Sequence, residues 1–345
     1  MKYFLTLISL LGWCITIPFL FDGCKKKDQF HGTPLPFSRP AGFPQPSYSF
    51  INHPVSKEGF ELGRKLFYEG RLSLDGNFPC SSCHQQTAAF TTKDHDLGHG
   101  YNNAHTRRNP LSLSNLAWFS AYNFDGSAQT LEQVALSHIT SPVEMAETMD
   151  AIVVKLARDT AYQRSFQAAY GDRAVTASRI LGALSQFVIN LVSANSKYDQ
   201  VKAGTLTFTG QEQKGYEVFT RHCSACHTEP LFTDGSYRNT GLPIDAFLQD
   251  FGRSGVTGNK GDSLKFRVPS LRNVQVNGQW AHDGRFGSVR AAINHYRTGV
   301  VQNSTLDPLL ENGIPLTNAE VDELLAFLRT LTDSSFLTNP RFAAQ

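Results

Sequence analysis

Apolar positions along the chain recur at helical spacing, and no stretch sustains the alternation of a half-buried strand. Ser56 is a suitable N-cap for a helix that puts Phe60, Gly63, Leu66 and Phe67 on one face. A second start stands at Thr209, where Glu212 completes a capping box ahead of Gly215, Tyr216 and Phe219. Both runs carry a Gly-x-x-x-Phe step, Gly63 to Phe67 and Gly215 to Phe219, an echo that suggests a duplicated unit. Helical periodicity returns at Thr130–Ile139, Met149–Ala157, Ala161–Tyr170, Thr176–Ser193 and Ser288–Tyr296. A last capped helix opens at Thr317 and Glu320, with Val321, Leu324, Leu325 and Leu328 inward. The pattern predicts a mostly α protein with long loops.

The N-terminal stretch breaks this pattern. Lys2 precedes an apolar run from Tyr3 to Phe21, then Asp22-Gly23-Cys24, which reads as an export signal. Gly23-Cys24 resembles a bacterial lipoprotein cleavage site that would leave Cys24 lipidated, although Asp22 and Phe21 depart from the usual residues. An uncleaved anchor is the alternative, since about 19 apolar residues can just cross a bilayer. Lys25, Lys26 and Lys27 disfavour it, because positive charge tends to stay cytoplasmic. From Lys25 to about Ser47 the chain is rich in Pro, Gly and Phe without helical period and reads as a tether. The expected division is a signal peptide over 1–24, a tether over 25–48, and units over 49–203 and 204–345.

At 345 residues there is length for two or three domains, and the net charge of +2 points to no nucleic-acid partner. Six cysteines change the picture. Cys80-Ser81-Ser82-Cys83-His84 and Cys223-Ser224-Ala225-Cys226-His227 are two Cys-x-x-Cys-His runs. At this spacing two thiols add across the vinyl groups of a haem, and the adjacent His supplies an axial nitrogen to its iron. Two disulfides or one shared zinc are the alternatives, and the doubled His makes both poor readings. Two covalent haem c groups, one per unit, are expected, with His84 and His227 as proximal ligands. Covalent attachment occurs outside the cytoplasm, which agrees with export.

With these motifs in place, further segments stand out: Glu61-Leu62-Gly63-Arg64-Lys65-Leu66-Phe67, Arg71-Leu72-Ser73-Leu74-Asp75-Gly76, Arg108-Asn109-Pro110, Phe124-Asp125-Gly126, Pro142-Val143-Glu144-Met145, Val268-Pro269-Ser270-Leu271-Arg272-Asn273 and His282-Asp283-Gly284. Together they resemble the bacterial di-haem cytochrome c peroxidase / MauG family, from about Lys57 to the C-terminal helix. The resemblance implies two cytochrome c-like domains, an N-terminal peroxidatic haem at His84 and a C-terminal electron-transfer haem at His227. Glu144 falls at the family's distal acid. Heterolysis of peroxide needs a base for the first proton and an acid for the departing hydroxide, and a carboxylate can serve as both.

Aligned on the same segments, Phe124 stands where the family has a Trp between the haems, which removes the usual hole-hopping residue; Trp118 is close in sequence. Val134 stands where a distal Gln is common, with Gln133 next to it, and His138 stands where a Pro is common. His138 is a candidate distal hydrogen-bond donor, or an ordinary core or surface His. For the sixth ligand of the first iron, His99 lies near the family's place for such a His, with His95 and His105 on the same loop; MauG-type members keep this position open. The second iron takes Met in peroxidases and Tyr in MauG-type members. Of Met1, Met145 and Met149, none lies in the second unit, whereas Tyr296 shares a face with Val289, Ala292 and Ile293. Tyr296 is therefore the expected ligand, with His295 or a plain core Tyr as alternatives. Phenolate ligation favours ferric iron and makes high-valent states more accessible. The family's calcium ion would take the side chain of Asn109 and the carbonyls of Arg267 and Pro269.

The leading expectation is an extracytoplasmic, lipid-anchored peroxidase that reduces hydrogen peroxide with electrons from a c-type cytochrome or a cupredoxin. MauG-like oxidation of a protein or peptide is the second reading, and a di-haem electron carrier the third. Family members often form homodimers.

Overall fold

The computed structural model describes residues 30–51 and 53–345. The apolar run, Gly23 and Cys24 lie outside them. Among the described residues, no helix is long and apolar enough to cross a membrane.

The helices are α1 (Lys57–Phe67), α2 (Leu131–Thr140), α3 (Met149–Ala157), α4 (Thr160–Tyr170), α5 (Ala177–Val188), α6 (Lys197–Lys202), α7 (Gly210–His222), α8 (Val289–Asn294), α9 (Asn318–Arg329) and α10 (Ser334–Leu337); all but the short α6 and α10 were expected. The N-caps act as predicted: Ser56 accepts from Gly59, and capping boxes close at Thr209/Glu212 and Thr317/Glu320. Helix α5 stops at Val188, short of the expected Ser193, because 191–193 is drawn into pairing with Asn115: Asn115 N donates to Leu191 O (2.8 Å) and Ser193 N to Asn115 Oδ1 (2.9 Å). The only strands among the described residues are Tyr237–Arg238 (β1) and Phe266–Arg267 (β2), paired antiparallel.

Two helix pairs carry the fold, α1 on α5 and α7 on α9. Each crosses at the glycine of the Gly-x-x-x-Phe step. A Cβ on Gly63 would stand 1.9 Å from Ala183 O, and one on Gly215 would stand 1.9 Å from Glu323 O. Only hydrogen fits there. Phe67 packs on Phe187 and Phe219 on Phe327, both with ring centroids 5.1 Å apart. The echo read in the sequence is thus a repeated helix crossing.

The repeat runs further than those two steps. Asn115 and Asn273 both adopt φ near +60°. The Asp125-Gly126 and Asp283-Gly284 turns lie inside equivalent bridges, Tyr122 with Ala128 and Trp280 with Phe286. Thr130 and Ser288 then cap α2 and α8. Partners in these pairs stay in constant register, which matches Phe124 with His282, Asn109 with Arg267 and His138 with Tyr296. The two units meet through this repeat: Asn109 N donates to His282 O (2.7 Å) and Arg267 N to Phe124 O (2.6 Å).

Two buried cores follow, and their membership corrects the expected boundaries. Phe60, Leu66, Phe67, Phe90 and Phe187 centre the first; Phe219, Phe232, Val321, Leu324 and Phe327 centre the second. Tyr198 belongs to the second core although it precedes 204, while Phe336 and Phe342 at the C-terminal end return to the first. Asp333 fixes that return by accepting from Ser193 Oγ, Ala194 N and Asn195 N at 2.9–3.1 Å. The expected tether is also corrected: from Pro34 onward it lies packed on the first unit. Leu35 N donates to Val55 O (2.9 Å), Tyr48 N to Ala117 O (3.0 Å), and Phe37 and Phe43 close on Trp118. Its aromatic residues bury more apolar surface there than a free linker would.

Candidate functional site

Each Cys-x-x-Cys-His run sits on the wall of a cavity. In the first, Cys80–Cys83 forms one helical turn and His84 Nδ1 lies 2.8 Å from Phe90 O. A carbonyl only accepts, so Nδ1 carries the proton and Nε2 is left with its lone pair. His227 repeats this with Phe232 O at 3.0 Å. Phe90 and Phe232 both adopt left-handed backbone, at φ 60° and 56°, which turns each carbonyl onto its imidazole. Burial pushes His84 down to about 4 and lowers His227, so both rings are neutral, as an iron ligand must be. All four thiols are free. Among the described residues, no group of three or more His, Cys, Asp or Glu is placed to hold a metal ion, so a shared zinc lacks its ligands. Apolar walls, paired thiols and an oriented imidazole fit a covalent haem in each cavity.

The first cavity is walled by Leu113, Leu116, Leu131, Ile139 and Leu184. Two polar side chains enter it on α2 and the turn that follows: His138 and Glu144. His138 Nδ1 is hydrogen-bonded to Glu144 Oε2. Burial alone would lower His138, but the hydrogen bond to Glu144 and its charge outweigh burial and hold the imidazole above its ordinary value. Glu144 is fixed through its main chain, its N donating to Ser141 O (3.1 Å) and its O accepting from Tyr101 N (2.6 Å).

The other residues singled out near this cavity divide plainly. Val134 lines it, whereas Gln133 is exposed and spent on the capping box with Thr130. His99 stands on the wall beside Cys83, with its ring between the tilted rings of His95 and His105 (centroids 4.4 and 4.2 Å) and Nδ1 held by Asn103 Oδ1 (2.9 Å). Trp118 lines neither cavity; its Nε1 donates to Pro44 O (2.8 Å) beneath the N-terminal segment.

The second cavity is larger, and Leu116 is common to both walls. Tyr296 lines it as the second residue of the π-helical extension of α8 (His295–Gly299). Burial, then the nearby Cys223 and Cys226, push its phenol up to about 12. His295 is also on the wall, but its Nε2 donates to Thr240 O (2.8 Å). Phe124 reaches this cavity from the first unit, near Phe266 and His282 (centroids 6.4 and 6.5 Å). Asn109, Arg267 and Pro269 line the same cavity at the seam between units, where Asn109 Nδ2 donates to Asp96 O (2.7 Å).

Sequence reasoning missed the Arg267 side chain, having read only its carbonyl. It also missed the Arg108 guanidinium, which joins Asp125 (2.6 Å) and Asp250 (2.6 Å) across the units. The constant register of the repeat was a signal that could have found the first of these.

Residues 57–207 match a family model described as di-haem cytochrome c peroxidase. The chain is 32% identical over 302 residues to the methylamine utilization protein MauG of Methylophilus methylotrophus, covering 86% of this chain and 87% of that protein. It is 32% identical over 288 residues to the cytochrome c551 peroxidase of Nitrosomonas europaea, covering 81% of each. A solved structure described as a MauG-like protein associated with microbial copper homeostasis superposes with a TM-score of 0.83 at 30% identity, over 90% of this chain and 99% of that one.

Proposed function

The chain belongs to the di-haem cytochrome c peroxidase / MauG family, and we propose that its reaction is the reduction of hydrogen peroxide to water with two electrons and two protons. The observation that carries this reading is the His138–Glu144 pair inside the cavity of His84. Haem, when bound there through Cys80, Cys83 and His84, supplies the iron at which the O–O bond is reduced, with electrons delivered by way of the haem at His227.

The chain's own residues handle the protons. Glu144 would accept a proton from the incoming peroxide and return one to the oxygen that departs, so that it leaves as water. His138, bonded through Nδ1, holds the carboxylate in place and, being charged more readily than a free imidazole, is a proton reserve. Leu131, Val134 and Ile139 give the pair an apolar surround on the cavity side. Tyr296, on the wall of the cavity of His227, would supply a second ligand to the haem held there, and Asn109 with the carbonyls of Arg267 and Pro269 would hold calcium at the seam. The donor is a small c-type cytochrome or cupredoxin. Export and lipidation at Cys24 would put the enzyme on the outer face of a cytoplasmic membrane.

Replacing Glu144 by Gln keeps the shape and removes the base. Peroxide turnover with a reduced donor should fall by about 10²–10⁴-fold while both haems stay attached. Unchanged turnover in the fully loaded variant sinks the assignment. Tyr296 supports a second reading, MauG-like oxidation of a protein or peptide, and the MauG relative and the MauG-like structure are consistent with it. Phe124 at the seam weighs against it, since a Phe ring is hard to oxidise. Electron paramagnetic resonance of the ferric protein separates an always-ready enzyme, with one high-spin haem, from one gated by a sixth ligand such as His99, with two low-spin haems.

A further inference from the structure

Four arginines line the cavity of His227: Arg221, Arg238, Arg267 and Arg272. Three of them have carboxylates. Arg238 pairs with Asp234 (2.9 Å) and Asp307 (2.8 Å), Arg272 with Asp199 (2.8 Å), and Arg221 with Glu320 (3.6 Å). Arg267 has no acidic partner among the described residues, although it is only 6% exposed. Its Nε donates to Asn123 O (3.1 Å) and its guanidinium lies 4.3 Å from the Phe119 ring centroid. The two terminal nitrogens have no acceptor among the described residues. Burial lowers Arg267 to about 10, which still leaves it charged at neutral pH.

A buried, charged guanidinium without a counter-ion is costly, so such groups are found paired. The repeat sharpens the point. Asn109, its counterpart in register, makes the equivalent main-chain bond across the seam, but its side chain is neutral and satisfied by Asp96 O. At the two matched positions the seam of the second cavity therefore carries an amide and a cation, and only the cation lacks a partner of opposite charge among the described residues. An anion belongs there, at the edge of the cavity that faces the first unit.

We propose that Arg267 is the counter-ion of a carboxylate of the haem carried by Cys223 and Cys226, and that this pair sets the haem's reduction potential. Haem bears two carboxylates on the edge remote from the positions that bond to cysteine, and a guanidinium matches a carboxylate in a two-point fork. A fixed positive charge beside the ring favours the reduced state, which holds one positive charge fewer. It also keeps the carboxylate ionised, so that reduction is not accompanied by proton uptake. Because Arg267 is anchored to Asn123 and Phe124, the control acts from the first unit onto the second haem. The proposal rests on two attached haems and is independent of which substrate the first haem meets.

The test is a spectroelectrochemical titration of the full di-haem chain and of Arg267→Gln and Arg267→Lys, with haem content counted in each sample. In Arg267→Gln one midpoint potential, that of the haem at His227, should fall at alkaline pH and become pH-dependent across about pH 5 to 8, where a released carboxylate can titrate. Arg267→Lys should move it back toward the parent value, and the other midpoint should not move. Two unchanged midpoints in fully loaded Arg267→Gln overturn the proposal. A parent midpoint that follows added chloride or phosphate at constant ionic strength also overturns it, by assigning the cation to a free anion. Should Arg267→Gln fail to accumulate with both haems, the parent decides: a flat midpoint over that range supports the pairing, and a full one-proton slope rejects it. Peroxide turnover is read separately, so failure here and failure of the peroxidase reading are distinguishable.

Discussion

The cavities of His84 and His227 are framed alike and furnished differently. Each hangs from a helix pair that crosses at a glycine, and each proximal imidazole is held by the carbonyl of a left-handed phenylalanine. The helix opening after each Asp-Gly turn then carries a different residue at its eighth position: His138 in the first, Tyr296 in the second. Beside His138 stands Glu144, whereas the phenol of Tyr296 is buried near the thiols of Cys223 and Cys226, with the His295 ring centroid 5.4 Å from its own. One plan thus yields a cavity with a hydrogen-bonded imidazole–carboxylate pair and a cavity with a buried phenol at the matching position. Function divides at a few side chains that the shared frame points inward, which is why the comparison can be broken one residue at a time.

The largest effect expected is the loss of turnover in Glu144→Gln. Next come the crossings: Gly63→Ala and Gly215→Ala each force a methyl against a carbonyl oxygen and should each cost about 3 kcal/mol, read as a lower unfolding midpoint of the loaded protein. Equal losses would show that the two frames carry equal weight. A crossing that tolerates alanine would break the likeness.

Tyr296→Phe should change the spin state and optical spectrum of one haem and leave the other as it was. Changes confined to the peroxide-reacting haem would reverse the roles assigned to the two units. His138→Gln removes the partner that orients Glu144 and should lower turnover about tenfold, as for other groups that orient a working side chain. A larger loss than in Glu144→Gln would make His138 the base instead.

The smallest effect is on stability against pH. The folded state raises His138 above the ordinary value of 6.5, so its pairing stabilises the fold fully below that value and is lost as pH rises through the elevated one. The half-exposed side chain makes the contribution small. The difference in melting temperature between parent and Glu144→Gln should therefore shrink from acid to alkaline pH, and a difference that grows would invert the assignment.

Local signals in the sequence determined most of the helices, both haem motifs and the repeated Gly-x-x-x-Phe step, because capping, helical period and Cys-x-x-Cys-His spacing act within a few residues. The polar pair was half legible. Glu144 and His138 could be named as candidates, but their hydrogen bond depends on how the turn after α2 folds back, with Met145 N on His138 O (3.4 Å). Trp118 was legible only as a Trp close in sequence to Phe124; tertiary packing decided that it serves the N-terminal segment and lines neither cavity.

What the sequence could not determine lies at long range. The strap from Pro34 looked like a linker, since Pro and Gly deny it a period, yet its aromatic residues find a buried surface far along the chain. The C-terminal tail returns to the first core because Asp333 caps a turn at Ser193 to Asn195 that no local pattern announces. Arg267 shows the limit most clearly. Nothing in its neighbours along the chain marks a charge as unpaired; only the folded seam brings it to a cavity wall, buries it and supplies no carboxylate. Short-range preferences set the elements, while burial and charge compensation are properties of the assembled whole.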